Sequence, residues 1–169
     1  MHVRLIASLE AGAVAILANT TALKTAGAIS LPTAHGGLLR LIGPWLAEPL
    51  SRFGLASLWR AADGPPPGSS LFQTGFHIAT GLAMAVFYAF AIEPLLGGRT
   101  IAKALLYAGV VWLLNAGLVL PLTHEGFAGR AHLPLAGIAW FAAAHTLFFL
   151  ILALLYQALR APCVEVGAP

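Results

Sequence analysis

Residues 135–159, LAGIAWFAAAHTLFFLILALLYQAL, contain no charged side chain. Wound as a helix at 1.5 Å per residue, such a stretch reaches ~37 Å, more than the ~30 Å of hydrocarbon in a bilayer. Leu, Ala and Phe occur all round it, as suits a helix surrounded by lipid or by other helices. Outward from it, three more stretches have the same character: residues 3–23, 71–92 and 101–122. Helix breakers fall between them, with Glu93-Pro94 and Gly97-Gly98 in one loop, Gly126 and Gly129 in another, and Pro162 after the last. The expected fold is an all-α integral membrane bundle of four transmembrane helices, forming one domain over residues 1–169, with residues 161–169 as a flexible tail.

Composition agrees. Of the 169 residues, 59% are hydrophobic and 9% charged, where a soluble domain carries roughly a quarter charged. Nine Lys and Arg with six Asp and Glu cannot clothe a water-facing surface of this size. The basic residues are scattered singly, without a run or stripe that could track phosphates, which argues against nucleic acid as a partner. The lone cysteine, Cys163, excludes a disulfide framework or a cysteine-based metal site within one chain. Glu10 interrupts the first apolar run and no small-residue cleavage site follows, so that run reads as a retained span.

The connection over residues 36–62 is too long to be structureless. Leu38, Leu39, Trp45, Leu50, Phe53, Leu58 and Trp59 alternate there with Arg40, Glu48, Arg52 and Arg60. Pro44 and Pro49 predict several short helices rather than one, and the Glu48–Arg52 spacing suits a helix starting near Glu48. Trp and Arg on an apolar helix fit the headgroup region, so the segment is expected along the bilayer surface, or capping the bundle, or docked on a partner. Four spans return both termini to one side. The Lys and Arg flanking the short 97–100 loop place that side in the cytoplasm.

The order of landmarks carries a resemblance. A Leu31-Pro32 turn precedes the amphipathic stretch. A span then opens with His77-Ile-Ala-Thr-Gly81 and reaches Tyr88 and Pro94. Val111-Trp112-Leu113, the Leu120-Pro121-Leu122 exit and a Gly126-Phe127-x-Gly129 loop follow, and His145 sits centrally in the last span. This order resembles small four-span bacterial inner-membrane proteins of the YagU-like, unknown-function type. The chain departs from them after His145, where Phe148 and Phe149 stand in place of a small residue. The resemblance implies a bacterial inner-membrane location and no particular chemistry.

Polar residues inside spans are the functional candidates, because lipid cannot satisfy them. His77, Asn115 and His145 fall roughly 9, 10 and 15 Å below one surface by helical rise, and form an expected polar layer bonded across helices. The alternative for His77 and His145 is axial ligation of a b-type haem, since neutral imidazole is a good iron ligand. Otherwise no cofactor is expected. Glu10 is the one carboxylate well inside a span. It is expected to bond to a neighbouring helix or reach towards Arg99 or Lys103, with a proton relay as the alternative. His124, Glu125 and His132, with His35, crowd the third loop but lack the spacing of a helical zinc site. Nucleophile elbow, Walker loop and dinucleotide fingerprint are all missing, which points away from an enzyme. Small residues line span one at Ala7, Ala11, Gly12, Ala15 and Ala18, and span three at Ala102, Ala108, Gly109, Ala116 and Gly117. Such faces permit close helix contact, so Gly12 and Gly117, with Trp45, Phe53 and Trp59, are expected to touch another polypeptide. The function these residues predict is a non-enzymatic accessory or scaffold subunit of a larger inner-membrane complex. A haem-binding electron carrier and a small transporter or channel-like oligomer are the alternatives.

Overall fold

The computed structural model describes residues 1–34 and 37–160; His35, and the expectations for the 161–169 tail, lie outside the described residues. Six helices follow in order: α1 (His2–Ala28), α2 (Gly37–Arg52), α3 (Leu55–Ala61), α4 (Ser70–Leu95), α5 (Thr100–Leu122) and α6 (Leu135–Arg160). Of these, α1, α4, α5 and α6 are long and apolar enough to cross a membrane.

Helix α1 is the centre of the bundle, packing along both α4 and α6, while α5 packs on α6. Its contact side is made of small residues: Ala7, Ser8, Ala11, Gly12 and Ala15 are buried. A Cβ on Gly12 would lie 2.6 Å from the Ala85 Cβ, and one on Gly81 would lie 2.6 Å from Ile16 Cδ1. Two helices approach this closely only where side chains are minimal. Helices α4 and α5 meet differently, through rings. Tyr88 stacks on Tyr107 at 6.2 Å, Tyr107 meets Phe149 edge-on at 4.5 Å, and Tyr88 meets Tyr156 at 5.8 Å. These aromatics fill the volume that the alanines of α1 leave open.

The third span ends at Leu122, as expected, one residue after Pro121, whereas the second runs past the expected Ile92 to Leu95, one residue after Pro94. Each proline follows a wide π turn, Tyr88–Ile92 and Asn115–Val119, in which Glu93 N–H reaches Tyr88 O and Leu120 N–H reaches Asn115 O. A proline in a regular helix strikes the carbonyl four residues back and cannot donate to it. The extra residue in the turn shifts that carbonyl aside, and the helix continues. Helix α2 likewise runs unbroken through Pro44 and Pro49, against the expectation of separate short helices. Both prolines are exposed, so the carbonyls they leave unpaired face the outside, where water or headgroups can bond them.

The bundle is clasped at both ends. At the end where α1 begins and α6 finishes, Arg160 Nη1 lies 3.2 Å from Glu93 Oε2, and Lys103 Nζ donates to the Glu93 carbonyl at 3.0 Å. At the opposite end, Trp140 Nε1 donates to the Ala22 carbonyl at 2.8 Å. A Cβ on Gly137 would collide with the Pro32 carbonyl, so glycine is what lets the α1–α2 connection cross the start of α6.

The two glycines singled out in the sequence differ in kind. Gly12 is buried against Ala85 and Leu82, whereas Gly117 is exposed with nothing near its missing Cβ. Gly12→Ala is therefore expected to lower stability by about 1–3 kcal/mol through overpacking. Gly117→Ala is expected to be neutral or to stabilise by about 0.5–1 kcal/mol through helix propensity. Unfolding of both variants in mixed micelles checks the pair, and equal effects would show that the α1–α4 contact is not tight.

Candidate functional site

The polar group between the long helices is built around a residue that the expected layer left out. Asn19, 1% exposed, continues the Ala7–Ala11–Ala15 line of α1 at one residue per turn, and so points into the bundle. Its Nδ2 donates to the Ala144 carbonyl of α6 at 2.9 Å, and its Oδ1 lies 3.0 Å from His77 Nε2 of α4. One amide thus bridges both helices that flank α1. The small-residue spacing was the available signal, but Asn19 reads from sequence as the polar end of a span.

These bonds decide the proton positions. A backbone carbonyl only accepts, so the Asn19 amide must turn its nitrogen to Ala144 and its oxygen to His77. The His77 ring must then donate from Nε2, and its neutral form bears a lone pair on Nδ1. His145 makes the complementary choice: its Nδ1–H donates to the Phe141 carbonyl one turn back at 2.8 Å, which leaves the lone pair on Nε2. Asn115 is half-buried at the start of the α5 π turn, with no side-chain partner among the described residues. The expected His77–Asn115–His145 layer is therefore corrected to Asn19–His77, with His145 bonded to its own helix. The Asn19 oxygen stands at His77 Nε2 and the Phe141 carbonyl at His145 Nδ1, so one nitrogen of each ring keeps its lone pair, while Phe148 and Phe149 fill the adjoining core.

Glu10 is also corrected. It is exposed on the outer side of α1, and Lys103 reaches Glu93 rather than Glu10. At the third loop, Glu125 binds Arg40 Nη2 at 2.6 Å through Oε1 and accepts from His132 Nδ1 at 2.9 Å through Oε2. Oε1 thus ties α2 to the α5–α6 turn, and Oε2 closes a bond within that turn. His124 adopts a left-handed backbone, φ 65°, beside them. Among the described residues no three His, Cys, Asp or Glu side chains converge as metal ligands.

The α2–α3 arm stands apart from the bundle. Neither helix has a buried residue, and Trp45 and Phe53 are each 80% exposed. Its first turn rests on α5, where a Cβ on Gly37 would touch Val119 and Leu120. Its far end is held by Trp59, which donates to the Pro65 carbonyl at 3.0 Å and packs edge-on against Phe72 at 5.9 Å. The Glu48–Arg52 ion pair forms as the spacing implies, fully in the open. No family model matches the chain, and neither a curated protein nor a solved structure matches it. The likeness to YagU-like proteins accordingly remains an expectation drawn from the order of motifs.

Two outcomes follow from this geometry. Asn19→Leu removes both bridging bonds and is expected to cost about 1–3 kcal/mol, at ~0.6–2 kcal/mol per interhelical bond. Nitrogen-15 spectra of the histidines should show His77 protonated on Nε2 and His145 on Nδ1 in the wild type. The variant should lose that preference at His77 alone, and an unchanged His77 spectrum would mean the bond is not made. The second outcome concerns pH. The Arg40 guanidinium, with help from His132, holds the Glu125 carboxyl below its ordinary value of 4.5. A depressed carboxyl contributes its stabilisation above that ordinary value and loses it as the pH falls through the lower folded one. The α2 tether should therefore hold at neutral pH and loosen below about pH 4.5. Spin-label distances between α2 and the third loop, compared with Glu125→Gln, would report this as a pH-dependent change that the variant lacks.

Proposed function

We propose that this chain is a multi-pass protein of the bacterial inner membrane, both termini cytoplasmic, serving as a non-enzymatic accessory or scaffold subunit of a larger assembly. The observation that carries the reading is the arm. From Pro44 to Asp63 every residue but Ala56 is exposed, and Trp45, Phe53, Leu58 and Trp59 are displayed on an element with no core of its own. An apolar element held at both ends but covered by nothing suits a headgroup belt on one side and a protein contact on the other. Gly117 supports the same reading, as a bare position on the outer face of α5. Among the described residues no convergent set of nucleophile, base and oxyanion donors favours catalysis instead.

Replacing Trp45 and Phe53 together by Ser should leave the four spans inserted and the bundle folded. It should also shift the native complex to a lower mass after mild extraction. A photo-crosslinker at Trp45 should reach another polypeptide in native membranes. A wild-type chain that runs as a monomer in mild detergent, without such a crosslink, would sink the subunit reading.

A further inference from the structure

Glu10 presents the least accommodated chemistry on the molecule. The contacts of Gly12 with Ala85 and of Gly81 with Ile16 set the register of α1 against α4 and bring Glu10 level with Phe87. That is six residues inward from Glu93, or roughly 9 Å by helical rise. Glu93 and its partners Lys103 and Arg160 mark one end of the bundle, so in a bilayer Glu10 sits within hydrocarbon rather than at the headgroups. It also faces outward. Ile6, Leu9, Val14 and Leu17 surround it as exposed residues, and neither an ion pair nor a side-chain hydrogen bond joins it to another described residue. Asn19, on the inner face of the same helix, behaves differently, since it bonds two helices at once.

A carboxyl group in lipid needs a donor or a cation, and by default an ionisable residue at that depth faces protein. A second copy of this chain in the same orientation meets it depth for depth and can offer no cation there. At the level of Glu10 the outward residues of the other spans are Phe87, Leu105, Leu106 and Leu154, all apolar, and α1 itself offers only a second Glu10, a hydrogen-bond donor when protonated but a like charge when ionised. We propose that the outer face of α1, centred on Glu10, docks a transmembrane helix of a different polypeptide that places a basic side chain at the same depth. This rests on the subunit reading and locates a second contact, separate from the arm.

The test uses the full chain in its native membrane, with a photo-crosslinking residue at Ala13 or Leu17 and, as controls, at Leu106 or Val110 on α5. The α1 positions should give one discrete adduct with another protein, the controls should not, and Glu10→Leu should reduce the α1 adduct at least tenfold. Glu10→Leu lowers the polarity of the span, so its membrane yield should be unchanged. The adduct's partner, identified by mass spectrometry, should carry a Lys, Arg or His in its crosslinked helix. Exchanging that residue for Glu together with Glu10→Lys should restore the adduct. An adduct of twice the chain's own mass would establish a second copy and overturn the proposal. So would an adduct indifferent to Glu10→Leu, a partner helix without a basic residue, or no adduct at all. If α1 gives nothing while Trp45 still crosslinks, this contact fails and the subunit reading survives; silence from both positions ends both.

Discussion

Four helices long and apolar enough to cross a membrane would gain little in lipid from burying apolar surface against each other, because acyl chains are as apolar as leucine. Close packing and interhelical hydrogen bonding would then have to hold them. In this chain both fall on one side of α1. Ala7, Ala11, Gly12 and Ala15 let α4 and α6 come close, and Asn19, next in the same line, bonds to both. The rest of the bundle follows from that choice. With small residues on α1, the interior is filled from the opposite side by Tyr88, Tyr107, Phe149 and Tyr156, and these rings join α4 to α5. Small residues on one helix and large ones facing it are two halves of a single packing solution.

The four long helices were legible because hydropathy over twenty residues is a strong signal, one that local detail rarely reverses. The third also ended where expected, at Leu122, while the second ran on from Ile92 to Leu95. Proline reads as a stop in isolation, yet Pro94 and Pro121 each lie just beyond a π turn that removes the obstruction. Nothing in the residue types of Tyr88–Ile92 or Asn115–Val119 announces a wider turn, since it arises from where the proline falls relative to a helix already held in place by packing. Depth along a helix was legible in the same way, while direction around it was not. His77, Asn115 and His145 do lie on spans at related depths, but rotation about each axis decides which side chains meet. Rotation is set by the small-residue face of α1, and that face brings Asn19 to His77 and leaves Asn115 aside.

The arm shows the reverse case. Its composition pointed to an interfacial element, and the structure leaves most of its apolar residues exposed. Its continuity through Pro44 and Pro49 was not legible, because propensity scales weigh a proline in a helix interior at ~3 kcal/mol. That figure includes leaving a carbonyl without a partner. On an exposed helix the orphaned carbonyls of Arg40 and Trp45 keep access to water or headgroups, and the penalty shrinks. The arm is anchored by Arg40 to Glu125 at one end and by Trp59 to Phe72 at the other. Between these points its display of Trp45 and Phe53 is held without a core beneath it.

The contrast between polar groups inside and outside the bundle bears on what kind of protein this is. Inside, four side-chain donors are matched by acceptors of fixed orientation: Asn19 to Ala144, His77 to Asn19, Trp140 to Ala22 and His145 to Phe141. Such matching holds helices in place and leaves little freedom for proton transfer or changing ligation. Catalytic and transport sites, by comparison, need groups held ready but not satisfied, gathered around a shared space. Among the described residues the buried Thr20 and Thr33 hydroxyls and the half-buried Asn115 amide also lack a side-chain partner, but they lie apart and converge on no shared space. The one carboxyl without a partner on the long helices, Glu10, and the aromatic arm face outward, and that is why the functional reading rests on contact rather than on chemistry.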